Sequence, residues 1–440
     1  MSTTKLDSDA YTLADFLESD SQDLFEKTES FTAFLDDWKS KGTYSYHRLI
    51  TSASSGRAML RDPETGRDRE MAVMSSNNYL GLNTRREVVE AAVAAVHKYG
   101  TGMCGSRFLS GTYDLVEELE RELAEFERLE AAMVFTSGYQ ANVGALSALL
   151  RPKDVAFIDR LSHASIVDGC RLAGCACRTF KHNDMDDLER VLANSEGKHR
   201  AKLIVSEGVF SMDGDMAPLP DIVEIARRRQ ARVMVDEAHA TGVIGPNGRG
   251  AVEHFGLDGE VDIVLGTFSK TLSATGGFIA ASRAVVNYVR HYGRSYMFSA
   301  SPTPAVIAAV LAGLRIVKRE PQLRERLWSN VRYFHRELKR LGFEVFPDPP
   351  ESAIVTIVVG ADTAVRALSK RVYEEGLFIS TVAYPAVPRN EGKLRLSLSA
   401  NHTREQLDRA VETLGLIGGE CGILGGGAHE SPSYSAVAVG

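Results

Sequence analysis

Cysteine, net positive charge and long apolar runs are all in short supply in this chain. It holds five cysteines in 440 residues: Cys104, Cys170, Cys175, Cys177 and Cys421. An odd number at irregular spacing is no disulfide framework. Cys170, Cys175 and Cys177 match no standard zinc spacing, and no nearby second pair completes four ligands, so no metal site is expected. No uninterrupted apolar run is long enough to span a bilayer, so no integral membrane segment is expected. The N-terminus is acidic and polar, unlike a secretory signal, and the cytoplasm is the expected compartment. Lys and Arg (51) fall short of Asp and Glu (58), and a net charge of −7 argues against a nucleic-acid footprint.

What is present is ordinary for a soluble globular protein, with 44% apolar and 25% charged residues. The length suits one large and one smaller domain. Residues 1–74 read as an N-terminal arm and a β-like segment. Phe16, Leu24, Phe25, Phe31, Phe34, Leu35 and Trp38 recur at loosely helical spacing. That pattern fits a helical arm on a partner subunit or a partly ordered tail.

The large domain is expected over 75–302. Thr84-Arg-Arg-Glu87 has the form of a capping box and predicts a helix through His97. A second helix is expected over 114–128. Seven short apolar runs then alternate with helical stretches, at 131–136, 154–159, 175–180, 201–206, 231–236, 261–267 and 277–281. Such alternation predicts an α/β fold, with a mainly parallel seven-stranded sheet covered on both faces. Ligands of such sheets sit at the carboxyl ends of the strands. Ser137, His163, Ser211, Asp236, His239 and Lys270 all lie at or just after those ends. Residues 303–416 predict a smaller C-terminal α/β domain, with strands at 353–359, 377–383 and 394–399. Residues 417–440, rich in Gly, Ser and Ala, predict a disordered tail.

Two of the seven runs carry chemistry. One ends in Asp236-Glu-Ala-His239, the other leads through Thr267-Phe-Ser to Lys270, with Gly276-Gly277 close behind. A lysine at the mouth of a sheet can lose its proton readily enough to be nucleophilic. Alone, it reads as easily as a solvated loop lysine. A carboxylate for a pyridinium nitrogen together with a lysine for an aldehyde carbon is what pyridoxal phosphate requires, and the pair favours that cofactor.

Asp236-x-x-His239 followed by Thr267-x-x-Lys270 resembles the α-oxoamine synthases, pyridoxal-phosphate enzymes of fold type I. These join an amino acid to an acyl thioester with loss of carbon dioxide. The resemblance runs from about Tyr44 to Leu416 and implies roles for particular residues. Lys270 binds the aldehyde and moves the Cα proton, Asp236 faces the ring nitrogen, and His239 and Ser211 meet the ring oxygen. Ser137, Gly138 and Tyr139 match the phosphate loop, where backbone N–H groups at a helix start suit an anion. Thr267 matches a hydroxyl on the same phosphate. His163 matches the histidine stacked on the ring and is counted with Lys270, Asp236 and His239 as catalytic. Arg395 matches the arginine that grips the amino-acid carboxylate. Asn77, Asn78 and Tyr79 match a string lining the substrate end, and which asparagine faces the ligand stays open.

Family members are homodimers with shared sites. Phe298-Ser-Ala-Ser-Pro302 matches the string that lends a hydroxyl to the partner's phosphate, with Ser299 the first choice and Ser301 the alternate. Gly105-Ser-Arg-Phe-Leu109 and Ala383-Tyr-Pro-Ala-Val-Pro388 are most similar to bacterial serine palmitoyltransferases. 2-Amino-3-ketobutyrate ligase and 8-amino-7-oxononanoate synthase are close behind. Aminolevulinate synthase, which binds a free carboxylate, has a threonine opposite Ser106 and an asparagine opposite Phe108. Phe108 cannot bond a carboxylate, so an uncharged acyl chain is expected. The amino acid (serine, glycine or alanine) and the thioester (on coenzyme A or a carrier protein) stay open. An aminotransferase or lyase on the same fold is the rival enzyme reading, and a non-catalytic subunit the third.

Overall fold

The computed structural model describes residues 7–425 except Glu64 and Pro385. Its strands in chain order are β1 (Arg57–Arg61), β2 (Asp68–Val73), β3 (Ala131–Phe135), β4 (Val155–Asp159), β5 (Ala176–Phe180), β6 (Lys202–Glu207), β7 (Arg232–Asp236), β8 (Ile263–Thr267) and β9 (Gly277–Ala281). There follow β10 (Val345–Phe346), β11 (Ile354–Gly360), β12 (Leu377–Phe378), β13 (Ser380–Val382) and β14 (Gly392–Ser397).

Strands β3 to β9 are the seven apolar runs, and they form one sheet in the order β3-β9-β8-β7-β6-β4-β5. Only β9 is antiparallel to its neighbours; β8, β7, β6, β4 and β5 pair in parallel. The reason these runs are continuously apolar is visible in the packing. Alternate residues of one strand enter different cores: Leu203 and Val205 of β6 and Met234 of β7 face one, Ile204, Val233 and Val235 the other. A side chain on either face is therefore removed from water, worth about 1.5–3 kcal/mol for each large aliphatic group. A charge at Ile204 or Met234, both fully buried, would oppose one core or the other.

The smaller sheet, β10-β11-β14-β13, is antiparallel throughout. The region expected as one strand over 377–383 divides in two, and the parts serve different sheets. β12 pairs in parallel with β2, so the N-terminal hairpin β1–β2 shares a three-stranded sheet with a C-terminal strand. The arm before it also lies on the C-terminal part of its own chain. The Arg366 guanidinium stands 4.5 Å over the ring of Trp38, in helix Glu26–Ser40. Arg69 donates to the carbonyl oxygens of Tyr373 and Glu374.

Two local expectations need correction. The helix after Thr84 is Arg86–Tyr99; Arg85 is its N-cap, and no side chain caps it. Thr84 instead closes the short turn Leu82–Thr84, and Glu87 pairs with Arg319 at 2.8 Å. A long-range ion pair thus takes the glutamate that a capping box would use. The last helix, Arg404–Glu420, runs past Leu416, because Ile417 and Gly418 are buried. Residues 426–440 of the expected tail lie outside the described residues. Among the described residues, no helix is long and apolar enough to cross a membrane.

Candidate active site

Four of the five parallel strands end in polar residues; β5 alone ends in an apolar one, Phe180. Asp159 closes β4, Glu207 closes β6, Asp236 closes β7 and Thr267 closes β8. Glu207 and Asp236 are direct neighbours in register. A run that is apolar on both faces has to stop where it leaves the cores, and that is where the carboxylates begin.

Asp236 is buried and held from two sides. Its Oδ1 accepts from the Ala238 N–H at 2.9 Å and its Oδ2 from Asn142 Nδ2 at 2.8 Å. Asn142 also donates to Ser165 Oγ at 2.9 Å. The carboxylate therefore has one orientation. Lys270 is half-buried three residues beyond Thr267. Burial pulls its ammonium down to about 8, with Asp236 and Glu207 opposing the shift and Arg395 adding to it. An amine this close to neutrality supplies nucleophile and base alike.

His239 is buried, and its Nδ1 lies 2.7 Å from the Tyr79 hydroxyl. Burial, then the charges of Lys270 and Arg395, hold its imidazole well below the usual range, so the ring is neutral. Asn77 and Asn78 have different work. Asn77 Oδ1 accepts from both Arg395 Nη atoms at 3.2 Å and from Ser397 Oγ at 3.1 Å. Asn78 braces the chain, donating to Asn83 at 2.6 Å and accepting from Ser273 at 2.9 Å. Arg395 shares a face of β14 with Ser397, as alternation predicts, and its Nε donates to the Ser211 carbonyl oxygen at 2.5 Å. It is the backbone of Ser211, rather than its hydroxyl, that meets the arginine.

His163 caps helix Ala164–Ala173. Its Nδ1 accepts from the Ser165 N–H, which leaves Nε2 as the protonated nitrogen of the neutral ring. Burial lowers its proton affinity and Asp236 opposes that shift. The backbone N–H of His163 donates to Glu207 Oε1 at 2.6 Å. The same loop is clamped from behind. His182 lies 3.0 Å from Asp159 and 2.8 Å from Asp215. Burial disfavours its charge, but these two hydrogen bonds overcome burial and raise it to about 10.

Ser137 is the N-cap of helix Gly138–Leu149 and accepts from the Gln140 N–H at 3.1 Å. The helix start is pressed against β8: a Cβ at Gly138 would stand 2.9 Å from Thr267 Oγ1. Only glycine lets that hydroxyl and those N–H groups converge. The Tyr139 hydroxyl is engaged elsewhere, donating to Asp168 on the next helix, so only its backbone is free to face the helix start. Ser299 Oγ lies 3.4 Å from Thr136 Oγ1, beside the loop of its own chain.

Ser106 and Phe108 stand with Ser299 rather than with Arg395. Ser106 bridges to Ala300, and the Ser301 N–H donates to Gly105 at 2.9 Å. Phe108 is 43% exposed and packs edge-on against His291, with centroids 5.5 Å apart. The sequence reading missed Glu207, Asn142 and Ser165. Glu207 had a signal, an acid at a strand end exactly like Asp236 in kind; Asn142 and Ser165 lie within helices and had none.

Residues 69–414 match the aminotransferase class I and II family. An 8-amino-7-oxononanoate synthase from Symbiobacterium thermophilum is 41% identical over 397 residues, 90% of this chain and 99% of that one. The chain is an α-oxoamine synthase of this family. Its relatives include 4-hydroxy-2,2'-bipyrrole-5-methanol synthase PigH from Serratia sp., 39% identical over 97% of this chain and 65% of the relative. The serine palmitoyltransferase structure from Sphingomonas wittichii superimposes with a TM-score of 0.87 at 34% identity, covering 91% of this chain and all of the other. A high-resolution structure of that enzyme type with pyridoxal phosphate gives the same TM-score and identity over 92% of this chain. The fold is thus fold type I, and the family is pyridoxal-phosphate-dependent.

The residues of this synthase fit that cofactor. Asp236, Lys270, the glycine-lined helix start and Thr267 supply an acid, an amine and an anion cradle on one sheet edge.

Proposed function

We propose that this synthase condenses a small amino acid (serine, glycine or alanine) with an uncharged acyl thioester, releasing carbon dioxide and thiol and leaving an α-aminoketone. The observation that carries the reading is the shared network of Arg395, Asn77 and Ser397, reached through Tyr79 from His239. It puts a guanidinium fork for a carboxylate beside the lysine and acid that serve the amino group.

Pyridoxal phosphate, when bound, supplies an aldehyde for the amino group and a cationic ring that draws electrons from Cα. Asp236 would hold the ring nitrogen, His239 and Ser211 the ring oxygen, and Thr267 with Ser137, Gly138 and Tyr139 the phosphate. Arg395 orients the amino-acid carboxylate. Lys270, with its ammonium near 8, accepts the Cα proton and later returns one. His163 presents Nε2–H to the thioester carbonyl oxygen, where negative charge develops as the new carbon–carbon bond forms.

Serine palmitoyltransferase-like activity is the first reading, supported by the coverage of its solved structures. 8-Amino-7-oxononanoate synthase activity is the second, supported by the sequence relatives. The acyl group is borne by coenzyme A or by a carrier protein. The enzyme works as a homodimer in the cytoplasm, and Ser299 lends its hydroxyl to the partner's phosphate. Exposed Val89, Val93, Val96, Leu109 and Phe298 supply apolar surface for that pairing. The test is product mass and carbon dioxide release over a matrix of the three amino acids against coenzyme A and carrier-protein thioesters. Amino-group transfer to a keto acid without carbon dioxide release would overturn the reading. Light scattering at 48.0 kDa, the mass of one chain, would overturn the dimer.

A further inference from the structure

Two helices pack closely beside Asp236: Gly138–Leu149, which Ser137 caps, and Ala164–Ala173, which His163 caps. Gly169 permits the approach. A Cβ there would stand 2.9 Å from Cβ and from Cδ1 of Leu146. Leu146 lies a turn beyond Asn142, and Gly169 a turn beyond Ser165, so the same contact brings Asn142 and Ser165 together. Both are fully buried.

The proton positions between the helices follow from the donors and acceptors present. Ionised Asp236 only accepts, so the atom of Asn142 that stands 2.8 Å from its Oδ2 is the amide nitrogen. That nitrogen carries two hydrogens. One goes to Asp236 and the other to Ser165 Oγ, at 2.9 Å. Asn142 Oδ1 is buried with no hydrogen-bond partner among the described residues, so the amide is held by its two donations alone. Ser165 Oγ in turn has two partners, Asn142 Nδ2 and, at 2.7 Å, His163 Nδ1. An amide nitrogen accepts nothing, so the single hydroxyl proton goes to Nδ1. Nδ1 is then an acceptor, and the neutral ring keeps its proton on Nε2. The Ser165 N–H points the same way over a longer contact, 3.3 Å.

We propose that Asn142 and Ser165 are positioning residues that relay the charge of Asp236 to His163 and so fix the tautomer of its ring. The relay runs one way. Its first member is a carboxylate, and the amide can turn only donors towards the carboxylate and the hydroxyl. The acid that serves the cofactor thereby also decides which nitrogen of His163 is left as a donor. That this donor meets the thioester carbonyl oxygen rests on the role proposed for His163 above.

The test reads the ring directly. Pyridoxal-phosphate-loaded enzyme carrying nitrogen-15 in its histidine rings is compared with variants by magnetic resonance at neutral pH. The His163 signals are those lost in His163→Gln. The parent enzyme is expected to show Nδ1 unprotonated and Nε2 protonated. Asn142→Asp keeps the side-chain shape but turns the donor facing Ser165 into an acceptor. The hydroxyl then donates to the new carboxylate and accepts from the ring, so the proton is expected to move to Nδ1. Adding Ser165→Ala to Asn142→Asp removes the relay and leaves only the backbone N–H against Nδ1, and the proton is expected back on Nε2. Nε2–H unchanged in Asn142→Asp, a doubly protonated ring there, or Nδ1–H retained in the double variant would overturn the proposal. If Asn142→Asp does not fold, Asn142→Leu decides: a proton shared between the two nitrogens is expected, and a spectrum like the parent's would overturn the relay. These outcomes are read without turnover. If the proton moves to Nδ1 and product still forms at the parent's rate, the relay stands and the role of His163 at the thioester falls.

Discussion

The carboxyl edge of the seven-stranded sheet and the surface joining Gly105–Thr112 to Phe298–Pro302 are built to different standards. At the sheet edge nearly every polar group is spoken for. Asp236, His239, Asn77 and Arg395 are each fixed by partners between 2.5 and 3.2 Å away. At the other surface Ser106 Oγ and Ser301 Oγ are buried with no hydrogen-bond partner, while Phe108, Leu109 and Phe298 stand exposed. Buried hydroxyls without partners beside exposed apolar groups are costly in a finished surface. One chain thus fixes the sheet-edge groups by itself, while the surface around Phe108 and Phe298 stays open to the partner and the acyl chain proposed above.

The comparison breaks most decisively at Lys270. Lys270→Ala is expected to leave a folded protein whose turnover falls by roughly 10³-fold, within the 10²–10⁴ that positioned proton transfer supplies. Near-normal product formation would remove the sheet edge from the mechanism.

A smaller effect separates two groups on that edge. Asp236→Ala removes a buried charge partner and is expected to cost about 3 kcal/mol or more, whereas His239→Ala removes one neutral hydrogen bond, about 1 kcal/mol. Steady-state turnover of the two variants gives the order directly. The reverse order would mean that the cofactor ring lies differently from the reading above.

The acyl-side surface is sharpened by substrate choice. An uncharged medium- or long-chain acyl thioester is expected to exceed succinyl-coenzyme A by more than tenfold in kcat/KM. Phe108 offers no partner to a carboxylate, while each buried methylene adds about 0.8 kcal/mol and about 1.4 kcal/mol suffices for tenfold. Equal specificity constants would show that Phe108, already packed on His291, turns away from the acyl chain.

An effect on stability rather than on turnover tests the clamp behind His163. His182 rises from 6.5 to about 10 in the folded protein. A raised pKa contributes stability that is fully present below 6.5 and is lost as pH climbs through about 10. The thermal midpoint of the native enzyme is therefore expected to exceed that of His182→Asn most at low pH, with the gap narrowing towards pH 10. A gap that widens with pH would show that the ring is neutral between its two aspartates.

Much of this was legible from residues alone. Strands buried on both faces must be continuous apolar runs, so the seven appeared in order at their observed places. The strand-end places of Asp236 and Thr267, with Lys270 just beyond, were legible for a related reason: a run apolar on both faces stops where it leaves the cores, the edge at which such sheets bind ligands. Short-range rules failed where a distant partner outbid them. Thr84 and Glu87 had the spacing of a cap, yet Arg319, 232 residues away, took the glutamate.

The chain order thus determined the large sheet and the strand-end places of Asp236, Thr267 and Lys270, because each follows from local pattern. Only the tertiary structure separated Asn77 from Asn78, engaged Tyr139 through its side chain elsewhere, drew the N-terminal hairpin into a sheet with β12, and set Glu207 beside Asp236. Those outcomes depend on which surfaces meet across hundreds of residues, and no local periodicity encodes such a meeting.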